Sequence, residues 1–271
     1  LGDVYKRQIL SIFLYVAATL LLAANLFNKL DKIKGKEIII FFLGLSASII
    51  HAYILHESIF LHTGFDLGFF NAVSIIGWLV ALIVLLISIY QPIQQLLLIL
   101  YPIAAIALLS EQFFSSQRLF DQYLSMGLRI HIILSICAYS LLMIGTFQAL
   151  LLAIQDKFLK TKQVSKIIDI LPPLQIMEQL LINIIVIGFF LLSLSLATGI
   201  VFIYDIFEQH LTHKTVLSIL AWIIYAILLW GRWSFGWRGK RIINWVLGGF
   251  LTLLLAYVGS KFALEFIFHR I

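Results

Sequence analysis

Hydrophobic positions along this chain do not alternate with polar ones at either the strand or the helix period. They run together in blocks, and the blocks are separated by short polar segments. Eight of these blocks are long enough, or nearly so, to cross a bilayer as helices. They are Ile9–Phe27, Ile38–Leu55, Phe69–Tyr90, Ile93–Ser110, Leu128–Ala153, Leu180–Tyr204, Val216–Trp230 and Ile242–Phe266. Pro102 interrupts the fourth and predicts a kink that neighbouring helices can absorb. The pattern predicts an all-α fold, a polytopic bundle of eight transmembrane helices in a single domain covering residues 9–271. The first eight residues, "LGDVYKRQ", do not resemble the rest of the chain and read as a non-native leader.

Composition agrees. The chain is 62% hydrophobic and 12% charged over 271 residues. A soluble domain carries about twice that charge. The net charge of +6 does not point to nucleic acid, because the cations sit in short loops between spans. They sit unevenly. The odd loops carry Lys29, Lys32, Lys34 and Lys36, then Lys157, Lys160, Lys162 and Lys166, then Arg232, Arg238, Lys240 and Arg241, whereas the even loops carry Arg118 and Lys214. Positive residues mark the cytoplasmic side, so the odd loops face inward and both termini outward in a bacterial inner membrane. Lys6 and Arg7 oppose this, but they belong to the leader. Residues 155–179 mix Lys with Ile, Leu and Phe before Pro172 and Pro173, a pattern that fits an amphipathic segment on the inner leaflet or a solvated connector. The outer loop 111–127 offers Phe113, Phe114, Phe120 and Tyr123 to the membrane interface.

With this orientation none of the seven histidines is cytoplasmic. His51 falls in the outer third of span two and His131 in the outer third of span five, both roughly 5–7 Å below the outer boundary at the helical rise. Neutral imidazole is a good ligand for iron, zinc and copper, and heme iron is commonly held by histidine. Arg129, two residues before His131, is a candidate partner for the propionates. The plainer reading is that His131 hydrogen-bonds across helices while Arg129 reaches the headgroups. A second candidate site is the outer segment "YDIFEQHLTHK", where Asp205, Glu208, His210 and His213 could hold a divalent metal. "HESIFLH" adds His56, Glu57 and His62. A polar loop with pH-sensitive charge accounts for the same residues.

Enzyme chemistry finds little support. Asp156, Asp169 and Glu178 are scattered in one loop, no phosphate-binding glycine loop occurs, and Cys137 is the lone cysteine. That excludes Cys-x-x-Cys chemistry and leaves Cys137 as a small packing residue. In "GRWSFGWRGKR", Gly236 and Gly239 permit a tight turn while Trp233 and Trp237 sit at headgroup level. Lys261 and Glu265 stand four apart near the end of span eight. The small residues Gly188, Ser193, Ser195, Ala197, Thr198 and Gly199 predict close helix approach by span six, with spans five and seven beside it.

Several stretches carry a family resemblance. "IHIILSICAYSLL", "GFFLLSLSLATGIVF", "LSILAWIIYAILLW" with "GWRGKR", and "GGFLTLLLAYVGSKF" succeed one another from Leu128 onward. This series resembles the cytochrome c assembly family of membrane proteins, of CcmC and CcsA type. The resemblance implies heme binding or handling at the outer face, His131 as a heme-ligand position and His51 as a second. It also implies partners among membrane proteins of a cytochrome assembly system. Two departures mark the chain as similar to a HemX-like branch. The segment before span seven contains no Trp, unlike the Trp-rich loop of heme-transferring members, and Trp230 stands where the family places a histidine. The competing expectation is a non-enzymatic accessory subunit for divalent-cation transport or membrane-complex assembly that keeps the fold without heme.

Overall fold

In the computed structural model, residues 2–27, 34–61, 64–66, 68–113, 119–120, 125–161, 170–202 and 212–259 are described. They form eight helices: α1 (Gly2–Leu26), α2 (Lys36–Ile59), α3 (Phe69–Ile87), α4 (Leu97–Phe113), α5 (Met126–Lys160), α6 (Leu174–Phe202), α7 (Thr212–Phe235) and α8 (Lys240–Leu254). The first seven contain windows long and apolar enough to cross a membrane. The eighth runs on into a five-residue π turn, Leu255–Gly259. The protein is therefore a multi-pass helical membrane protein.

The chain divides into two compact units, residues 1–122 with 169–171, and 123–168 with 172–271. In the first, α1 packs on α2 and α4, and α3 packs on α2 and α4, so the four helices close into a ring. Close approach depends on small residues. A Cβ on Gly44 of α2 would overlap the Tyr101 hydroxyl of α4, and one on Gly77 of α3 would press on Ala107. α4 continues through Pro102 after a 3₁₀ turn at Gln94–Leu96. A short antiparallel sheet joins β1 (Phe60–Leu61), β2 (Gly64–Asp66) and β3 (Leu119–Phe120), pairing Phe60 with Phe65 and Phe65 with Phe120. The sequence pattern reads both segments as plain loops. Two- and three-residue strands are too short to show a period.

The residues read as a leader are continuous with α1. Gln8 is buried, and Arg7 reaches Glu57 of α2 at 3.0 and 3.2 Å while lying over the Tyr53 ring.

The second unit repeats the ring. α5 packs extensively on α6, α6 meets α7, α7 meets α8, and α8 returns to α5. α5 runs seven residues past the expected end at Ala153, stabilised by Lys160 on Asp156 at 2.6 Å. Of the proposed amphipathic segment, Gln155–Lys160 thus belongs to α5 and Leu174–Gln179 to α6, and 162–169 lie outside the described residues. At this end of the unit, Arg232 of α7 meets Glu178 of α6 at 2.7 Å and the Trp237 carbonyl at 2.8 Å, and the second Glu178 oxygen accepts from the Gly239 amide at 3.1 Å. Gly236 and Gly239 adopt φ of 62° and 57°, conformations in which a side chain is strained. Trp237 stacks on Trp245 with Arg241 over it. The loop that topology alone explained is thus also bonded to α6.

Candidate ligand site at His131

His131 lies on the face of α5 that also carries Ser135 and Tyr139, residues spaced by four along the helix. That face meets the small-residue end of α6. The His131 Nδ1 stands 2.9 Å from the Ser195 carbonyl. A carbonyl only accepts, so Nδ1 carries the proton and Nε2 presents its lone pair. Among the described residues, the polar group beside Nε2 is the Ser135 hydroxyl at 3.5 Å, the limit of a hydrogen bond. That hydroxyl gives its proton to the His131 carbonyl at 2.7 Å and pairs with Ser195 Oγ at 2.7 Å. Nε2 is therefore the least engaged polar atom of the cluster.

α6 is shaped to hold this ring. A Cβ on Gly199 would stand 3.0 Å from the His131 Cε1 and 3.3 Å from Nδ1, tighter than ordinary contact. Thr198 donates to the Leu194 or Ser195 carbonyl, both at 2.9 Å, and lies 3.4 Å from Nδ1. Hydroxyl back-bonding of this kind loosens a helix locally and lets a carbonyl serve a second donor. Gly188 approaches Leu142, and Ser193 accepts from Trp222 of α7 at 2.8 Å. The small residues of span six thus do what their pattern predicts.

His51 is a different kind of residue. It is fully buried in the first unit, where Nε2 meets the Ser74 hydroxyl at 3.0 Å and Nδ1 meets the Tyr15 hydroxyl at 3.4 Å. Tyr15 also bonds Ser48 at 3.3 Å. Both ring nitrogens are engaged within the unit. α2 extends to Ile59, four residues past the expected end at Leu55. His51 lies about 12 Å along α2 from that end, whereas His131 lies about 7.5 Å from the start of α5. Each imidazole is bonded inside its own unit.

Arg129 is exposed. At about 100° per residue it sits about 200° around α5 from His131, on another face. Lys214 of α7, which the sequence presents only as a loop charge, belongs to the same unit as His131. Its ammonium lies over the Tyr257 ring at 5.2 Å, and Tyr257 packs on Tyr139 at 5.6 Å. No spacing rule links residues this far apart in the chain, so only the fold reveals this neighbour.

Of the alternative metal set, Asp205, Glu208 and His210 lie outside the described residues, and His213 is described only as part of the α7 backbone. His62, Lys261, Glu265 and His269 also lie outside them. Among the described residues no group of three or more His, Cys, Asp or Glu could hold a metal ion. Cys137 is half-buried rather than enclosed.

Known proteins give this arrangement a context. The chain is 33% identical over 205 residues to the inner membrane protein YpjD of Escherichia coli K12, covering 76% of this chain and 78% of that protein. It is 25% identical over 224 residues to the cytochrome c biogenesis protein CcsA of Prochlorococcus marinus strain SARG, covering 71% of each. No solved structure matches. The family described as cytochrome C assembly protein matches residues 39–268, which take in α3 to α8 in full and most of α2, and the chain belongs to that family.

Proposed function

We propose that this protein binds heme, or assists its handling, through His131 in the second helical unit, as a non-enzymatic component of cytochrome c assembly in a bacterial inner membrane. The observation that carries this reading is the 2.9 Å contact of Nδ1 with the Ser195 carbonyl. A histidine that ligates a metal characteristically donates its other N–H to a carbonyl or carboxylate, which fixes the tautomer and aims the lone pair. His131 has that arrangement with Ser195, and Gly199 sets the plane of the ring. The donor set fits heme better than a bare divalent ion. One imidazole with hydroxyl neighbours suits heme iron, while among the described residues no carboxylate cluster is available to a hard or borderline cation. Bound heme would supply an iron centre, and His131 is the residue that would hold it.

The chain's own residues do the rest. Ser195 and Thr198 hold the imidazole against rotation, and Ser135 spends its proton on the helix backbone so that it does not block Nε2. His51 serves as the hydrogen-bonding hub of the first unit. The relatives' names, one an inner membrane protein and one a cytochrome c biogenesis protein, support both the location and the heme connection. Positive residues in the odd loops support an inward face for them, with both termini outside. Membership of the cytochrome C assembly family supports other membrane proteins of the assembly system as partners.

The test is the Soret spectrum of protein purified with hemin supplied. Wild type is expected to show a histidine-ligated band that His131→Ala loses. Identical featureless spectra would end the heme reading. Reporter fusion between residues 162 and 169 checks orientation, and an outward signal there would invert it.

A further inference from the structure

The heme reading leaves the acidic edge of the ligand without a binding group, since Arg129 occupies another face of α5. Lys214 occupies the first turn of α7, where a positive charge opposes the helix dipole. It is not extended toward water, as a lysine at a span end usually is, but is partly buried with its ammonium over the Tyr257 ring. Tyr257 belongs to the π turn that ends the described part of α8, and π turns redirect side chains that an α-helix would place elsewhere. Tyr257 in turn packs on Tyr139, which shares the α5 face of His131 and Ser135. These contacts within the second unit link Lys214 to Tyr139, about 12 Å along the His131 face of α5 from the imidazole, within the span of a porphyrin and its acidic side chains.

We infer that Lys214 binds a carboxylate of the ligand seated at His131, with Tyr257 positioning the ammonium. The site then selects a flat molecule with two distinct features, a centre that accepts an imidazole nitrogen and an acidic edge. This rests on the heme reading and specifies which part of the ligand each residue recognises. An ammonium–carboxylate bond in a partly dry site favours the acid over its ester by roughly tenfold.

The experiment compares hemin with its dimethyl ester, titrated into the full chain in detergent and followed by the Soret band. Wild type is expected to bind hemin about tenfold more tightly than the ester. Lys214→Met is expected to lose that preference by weakening hemin while leaving the ester unchanged, which also shows the variant is folded. Lys214→Arg is expected to restore it. An acid preference that survives in Lys214→Met overturns the assignment, as does a Lys214→Met variant that weakens both ligands equally. If neither porphyrin gives a band that depends on His131, the heme reading itself fails and takes this assignment with it, a result distinct from loss of the acid preference alone.

Discussion

The two helical units share a ring of four helices and a histidine bonded to hydroxyls, yet they use the histidine differently. In the first unit the ring is closed off. Tyr15, Ser48, His51 and Ser74 are all essentially unexposed, and the hydroxyls answer both nitrogens. In the second unit one nitrogen is committed to a backbone carbonyl and the other is not. Buried polar groups in a membrane are costly unless paired, and this difference in pairing is what the ligand role proposed for His131 rests on. The lesson is that an intramembrane histidine is best judged atom by atom rather than by its presence in a span.

The largest effect expected from breaking either unit comes from the far end of the second one. Glu178→Ala leaves Arg232 without its carboxylate and removes the acceptor for the Gly239 amide, which should destabilise the protein by about 3 kcal/mol in a denaturant titration in mixed micelles. The paired histidines come next. His51→Leu strands the Ser74 and Tyr15 hydroxyls and is expected to cost about 1–2 kcal/mol, whereas His131→Leu costs under about 1 kcal/mol because Thr198 still serves the Ser195 carbonyl. Equal losses would erase the contrast between the units. Diethylpyrocarbonate footprinting by mass spectrometry offers a chemical version, with His131 modified and His51 protected in the folded protein.

Two glycines sharpen the comparison further. Gly44→Ala forces the backbone of α2 against Tyr101 and is expected to cost about 1–2 kcal/mol in stability alone. Gly199→Ala should cost about 1 kcal/mol but also shift the imidazole, so hemin affinity falls with it. The smallest effect is expected for Thr198→Val, under about 1 kcal/mol, with the His131 tautomer retained by the Ser195 carbonyl.

Much of the fold was legible because spans announce themselves as uninterrupted apolar blocks. The start of α3 at Phe69 and the turn at Gly239 before α8 fall where the sequence places them, whereas α6 begins at Leu174, six residues before the expected Leu180. Helix ends were less legible. α5 and α2 outrun their apolar blocks because nothing in "QDKFLK" or "HESI" forbids helix. The His131 site was half legible. A polar ring in an apolar run, and small residues in span six, are visible in the chain. That Gly199 faces the ring, that Lys214 lies over Tyr257, and that Glu178 answers Arg232 across 54 positions all depend on tertiary packing. The same packing shows why His51 and His131, alike in sequence context, part company.

The length of α5 has a mechanical consequence. The helix is unbroken from His131 to Lys160, a rod of about 44 Å, longer than the roughly 30 Å hydrocarbon layer it crosses. A helix longer than the layer tilts or projects from it, and the pair of Asp156 and Lys160 at 2.6 Å marks its projecting end.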